Sequence, residues 1–120
     1  MKESAERGRR LVRTALAAWH LDALTDSGIL LVSELVANAV RHTDSHAIRV
    51  VVTRPADGLV RIGVTDKSRA LPVPRPDTGD VLRTSGMGLL LVEATADRWG
   101  TDLRRWGKHV WAELRVEDQS

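Results

Sequence analysis

Cysteine is absent from this chain of 120 residues, which excludes disulfides and thiolate metal sites and fits a cytoplasmic location. Phenylalanine and tyrosine are absent too, so four tryptophans are the only aromatics besides histidine. Without aromatics interleaved among basic side chains there is no stacking platform for single-stranded nucleic acid. No apolar run approaches the roughly 20 residues that cross a bilayer, and no signal-peptide pattern follows Met1, so no membrane association is expected. The pattern G-x-x-x-x-G-K-[ST] does not occur, which excludes a P-loop. Neither a nucleophile elbow nor a zinc-type cluster of histidines is present.

What is there reads as one domain spanning 1–120, with ordinary apolar content and room for a single core. The net charge of +2 comes mainly from arginine and suits an anionic nucleotide or an acidic protein partner as well as it suits nucleic acid. Arg7, Arg9, Arg10 and Arg13 cluster at the start of a helical pattern and read as a solvated or partner-facing surface, so direct nucleic-acid binding is not expected.

Helical spacing over 5–19 marks Leu11, Val12, Ala15, Leu16 and Trp19 as a buried stripe. His20-Leu21-Asp22 is a break, with Asp26 or Ser27 as cap of a second helix that runs to about His42. Residues 47–53 and 59–66 read as strands joined by a turn at Pro55-Ala56-Asp57-Gly58. The segment 67–84 holds Pro72, Pro74 and Pro76 without periodicity, and a loop this long in so small a domain suggests a functional element such as a lid. Gly86-Met87-Gly88 then opens a helix over 89–96. A closing hairpin follows, 99–106 and 109–116, turning near Gly107-Lys108. The order predicts an α+β fold, a two-layer α/β sandwich with helices on one face of a mostly antiparallel sheet.

Three separated elements carry candidate chemistry. In the second helix Glu34 stacks over Asn38, with Arg41 one turn on, while Ile29, Val32, Leu35, Val36, Ala39 and Val40 form the core face. A potential base, a neutral oxygen and a cation in a row are what a magnesium–nucleotide site needs, since magnesium takes one or two protein oxygens plus phosphates and waters. The same three residues also fit a solvated outer face. Asp66 shares a strand face with Val60, Ile62 and Val64 and so enters the edge of the core as a carboxylate in need of a donor, which the exocyclic amine of adenine would supply. Taken alone, Asp66 reads more readily as ending the strand with an Asx-turn toward Ser68. Ser85-Gly86-Met87-Gly88-Leu89 lets backbone approach a ligand and presents helix N–H groups to an anion, although Ser85 also serves as a plain helix cap.

In order and spacing these blocks resemble the Bergerat ATP-binding fold shared by gyrase, the heat-shock chaperone ATPases, histidine kinases and mismatch-repair ATPases. Glu34 to His42 (ELVANAVRH) is similar to its N box, Val64-Thr65-Asp66-Lys67-Ser68 to the first glycine box, and Ser85 to Leu89 to the second. More narrowly the chain resembles the small bacterial anti-sigma factor serine kinases, which show SELVxNAVRH, D-x-S-x-x-x-P, G-x-G-L-x-L-V and a closing WG…GKxVW. The closing pieces here are Trp99-Gly100 and Gly107-Lys108-His109-Val110-Trp111, and the resemblance runs from about Arg7 to Leu114.

The resemblance implies ATP and Mg²⁺ as cofactors. It implies that Asn38 ligates the metal, Glu34 activates the attacking hydroxyl or water, and Asp66 binds the adenine amine. Gly86 and Gly88, with Ser85, Met87 and Leu89 around them, would let a lid approach the phosphates, within reach of Arg41 and His42. The implied role is an anti-sigma regulator of transcription with serine/threonine kinase activity, phosphorylating or sequestering a sigma factor or an anti-sigma antagonist protein; homodimerisation is left open. The alternative is a non-catalytic ATP/ADP-binding interaction module. Two positions depart from the family pattern: Ser68 stands where the first glycine box has glycine, and His109 stands where many members carry a threonine that helps hold the aspartate.

Overall fold

The computed structural model describes residues 2–41, 48–66, 84–105 and 107–116. Its elements are α1 (Lys2–Ala18), a short 3-10 turn (Asp22–Leu24), α2 (Thr25–Arg41), β1 (Arg49–Ala56), β2 (Leu59–Asp66), α3 (Thr84–Thr95), β3 (Arg98–Arg104) and β4 (Gly107–Arg115). The four strands form one antiparallel sheet in the order β1-β2-β4-β3. The helices pack on one of its faces, the expected two-layer α/β sandwich. The proposed lid loop falls at 67–83, outside the described residues, as does His42.

The sheet is assembled from two local hairpins joined by one long-range pairing. Asp57-Gly58 turns β1 into β2 between paired Ala56 and Leu59, and Gly58 takes the left-handed φ of +71° that glycine adopts without strain. β1 extends past its expected end, because a register shift between Thr53 and Ala56 accommodates Pro55 on an edge strand. β2 occupies the expected span, and its alternation drives Val60, Ile62, Val64 and Asp66 inward.

α2 is the central element, covered by α1 on one side and α3 on the other. Leu31, Val32, Leu35, Val36 and Ala39 are buried against Val12, Leu16, Ile62 and Val92. Gly28 permits the close approach: a Cβ there would stand 2.9 Å from Val12 Cγ1 and 3.5 Å from Ile62 Cδ1. The stretch Asp22–Val40 reaches, at a mean hydropathy of 1.4, the length and apolarity of a bilayer-crossing helix, which the sequence reading had not expected. In this fold its apolar side chains are the core.

Other boundaries moved as well. α2 starts at Thr25, placing Asp26 inside the first turn, where its charge complements the helix dipole. His20, at φ 60°, makes the break before it. Leu11 is 41% exposed, because the stripe that faces α2 runs through Val12 and Leu16 and leaves Leu11 beside a groove with Arg7 and Arg49. α3 begins at Thr84, so Gly86-Met87-Gly88 lies in its first turns and not ahead of them. β3 begins at Arg98, and β4 begins at Gly107, so Lys108 belongs to a strand and not to the turn.

Among the described residues no helix covers the outer face of the sheet, and that face builds its own cover. Glu113 of β4 is 2% exposed, bonded by Arg61 Nε at 2.8 Å and Arg98 Nε at 3.0 Å from the flanking strands. Both guanidinium groups also lie over the Trp111 ring, 4.6 and 5.5 Å from its centroid. Burial pushes the Glu113 carboxyl up, but hydrogen bonds from Arg98 and Arg61 and their positive charge outweigh it and hold the group below the ordinary carboxylate range. A depressed folded-state value stabilises the fold above the unfolded value, near pH 4.3, and the contribution disappears as pH falls through the lower one. Glu113→Gln is therefore expected to lose about 1–3 kcal/mol at pH 7. Urea midpoints of wild type and variant should converge between pH 5 and 3; a gap that stays constant would contradict the assignment.

Candidate functional site

The direction in which α2 crosses the sheet decides where the predicted residues meet. Near its start, Gly28 lies on Ile62, and Leu24 and Ser27 line a cavity of about 340 Å³ with Leu114 and Arg115. Arg115 pairs with Leu59, so the N-terminus of α2 stands at the start of β2 and the two elements run the same way. From that contact Asn38 lies ten residues on, about 15 Å along the helix, and Asp66 lies four residues on, about 13 Å along the strand. The two arrive at the same end of the layer between helices and sheet.

The helix α3 arrives there as well. Its last residue, Thr95, lines the same cavity as Leu24 and Ser27. Packed along α2 from that point, α3 runs back antiparallel, and its first turn lies toward the Asn38 end. The backbone of Ser85-Gly86-Met87-Gly88-Leu89 is thereby brought to the end that holds Asn38 and Asp66, and the first N–H groups of a helix have no acceptor within the helix itself. Arg41 closes α2 at this end.

Asn38 is not on a solvated face. It is 3% exposed, on the stripe of Leu31 and Leu35, and its Oδ1 has no hydrogen-bond partner among the described residues. A buried amide oxygen without a donor is costly unless a ligand completes it, and a hard cation or a bound water fits such an oxygen. Glu34, one turn earlier, is only partly buried and remains accessible. Among the described residues no three His, Cys, Asp or Glu side chains gather in metal-ligand fashion. A cation held through Asn38 would therefore take its remaining ligands from phosphates and water, as magnesium does.

Asp66 is 1% exposed and faces the helices, as its alternation with Val64 and Ile62 requires. It is bonded by Lys108 Nζ at 3.0 Å, and both side chains are fully buried. Gly107-Lys108 has the composition of a turn, which conceals this lysine in the sequence. The signal was present nonetheless: extended backward, the inward series Leu114, Ala112, Val110 lands on Lys108, opposite Asp66 in the register. His109, one position on, points to the other face. Its Nδ1 lies 2.8 Å from Thr65 Oγ1, and its ring covers Gly63 so closely that a Cβ there would collide with it. The group that reaches the aspartate from β4 is thus Lys108, not the residue at the family's threonine position.

A family model for the histidine kinase-like ATPase domain matches residues 2–114. The chain belongs to that family and is a histidine kinase-like ATP-binding domain. An uncharacterised protein of Streptomyces coelicolor is 43% identical over 47 residues, which is 39% of this chain and 45% of that protein. The match thus spans less than half the length of that relative.

Removing one partner of a buried ion pair strands the other. Asp66→Val and Lys108→Met are each expected to lower stability by about 3–5 kcal/mol in urea denaturation. The double variant, which removes both charges, should lose far less than the sum of the two; strictly additive losses would show that the pair does not form.

Proposed function

We propose that this ATP-binding domain holds magnesium–ATP at the Asn38–Asp66 end. There it acts as an anti-sigma-type regulator with serine/threonine kinase activity, phosphorylating or sequestering a protein partner in the cytoplasm. A sigma factor, or the antagonist of an anti-sigma factor, is the partner this reading implies. The observation that carries it is the buried, uncompleted Oδ1 of Asn38 at the same end as Asp66 and the start of α3.

Each residue has a part that follows from its chemistry. Asp66 accepts the exocyclic amine of the base, and its burial makes that bond selective, because an unmatched base edge would leave the carboxylate poorly compensated. Asn38 offers a neutral oxygen to the cation and adds no negative charge beside a polyanionic phosphate chain. The N–H groups at the start of α3, around Gly86 and Gly88, donate to phosphate oxygens. Magnesium, when bound, neutralises charge on the β- and γ-phosphates. Glu34, one turn from Asn38 and accessible, accepts the proton of the partner's hydroxyl as that oxygen forms its bond to the γ-phosphorus and ADP leaves. Arg41 ends α2, and this reading adds it to the phosphate-binding set together with His42, which lies outside the described residues.

The same site without turnover would make the chain a non-catalytic ATP/ADP-binding interaction module, and Glu34 separates the two. Calorimetry with ATP and Mg²⁺, together with transfer of labelled phosphate to a candidate antagonist protein, tests both. Asn38→Ala is expected to weaken Mg²⁺-dependent ATP binding by about tenfold or more. Glu34→Ala should leave the Kd within about threefold while cutting transfer about 10²–10⁴-fold. No binding of ATP to the wild type defeats the reading; binding without transfer leaves the interaction module.

A further inference from the structure

The inner face of β4 reads Lys108, Val110, Ala112, Leu114, a cation at the head of an aliphatic column. Lys108 is one of only three lysines in the chain, and at 0% exposure it ranks first by volume among the fully buried side chains of the described residues. Burying an ammonium is costly, and aliphatic residues of similar volume commonly replace a buried ion pair without loss of stability. Lys108 compensates Asp66, but stability gives no reason for the pair as a whole. What the pair creates is a hydrogen-bond acceptor and a donor side by side, 3.0 Å apart, at the end of the layer where Asn38 and the start of α3 converge.

That arrangement complements an amidine edge, in which an exocyclic amine donates and the adjacent ring nitrogen accepts. Adenine presents this edge, with its 6-amine beside N1. A 6-keto purine reverses both polarities and, held with its 6-substituent at Asp66, sets a carbonyl oxygen against a carboxylate. An ammonium carries three N–H donors, so the bond to Asp66 does not preclude donation to a base.

We infer that Lys108 is a second base-reading residue, donating to the ring nitrogen beside the amine that Asp66 accepts, and that the pair sets the nucleotide preference of the site. The inference rests on the reading of Asp66 as the anchor of the base. His109 takes no part in it, since its ring lies on the outer face with Thr65.

The test is calorimetry on the full chain with Mg²⁺ and three probes: ATP, 1-deaza-ATP (in which a C–H replaces N1) and GTP. The wild type should bind ATP about 10–100-fold tighter than 1-deaza-ATP, the range for a hydrogen bond to a charged group. Lys108→Met should bind those two with the same Kd. Equal affinities for ATP and 1-deaza-ATP in the wild type overturn the inference, as does an undiminished preference in Lys108→Met, or tighter binding of GTP than of ATP. The wild-type comparison decides the matter even where Lys108→Met fails to fold. Failure of the wild type to bind ATP at all overturns the ATP-site reading itself, whereas ATP binding indifferent to N1 overturns this inference alone.

Discussion

The rest of the architecture depends on how α2 is seated, with Gly28 pressed against Val12 of α1 and lying over Ile62 of β2. That seat, with the cavity at the start of α2 beside Arg115, sets α2 and β2 running in one direction. Two rigid elements of different rise then deliver a helical amide and a strand carboxylate to one place without any loop having to carry them. A side chain at residue 28 large enough to lift α2 would disturb packing against α1 and the sheet together, because Val12 and Ile62 both touch that point.

The two faces of the sheet handle buried charge differently. On the outer face Glu113 is enclosed by two arginines from neighbouring strands, which remain in contact with water and rest on an indole ring. That carboxylate is compensated by cations that lost little hydration, so its pairing is plainly structural. On the inner face both members of the Asp66–Lys108 pair are withdrawn from solvent. Such a pair meets the full desolvation penalty on each side, and it lies at the end of the layer toward which Asn38 also runs.

Much of this was legible in the residues themselves. Strict alternation located β2 to the residue and turned Asp66 inward, and helical spacing placed Val32, Leu35, Val36 and Ala39 in the core. The resemblance to the Bergerat group, read from the blocks around Asn38, Asp66 and Gly86, is matched at the level of the histidine kinase-like ATPase family. Where the reading slipped, a local signal was overridden by long-range packing. Gly107-Lys108 has turn composition, but pairing with β2 pulls both residues into a strand. Asn38 has polar chemistry, yet its stripe is shared with Leu31 and Leu35, so it is buried with them. Leu11 is apolar but sits one residue off the line that faces α2, so it remains in contact with water. Two glycines suggested a late start for α3, and the helix forms through them regardless.

The strand order carries a consequence for how the chain acquires its shape. Each hairpin closes locally, β1 with β2 across Asp57-Gly58 and β3 with β4 across a short turn, whereas β2 meets β4 only after a separation that is 42 residues between Asp66 and Lys108. Closing a loop of that size loses more chain entropy than closing either hairpin, so the central seam should zip late, after the local pairs exist. The aspartate and lysine lie at the end of that seam where the separation is least, so theirs is the first of its pairings that closure can reach. A substitution that strands either charge there would slow the closing of the seam as well as weaken the finished fold.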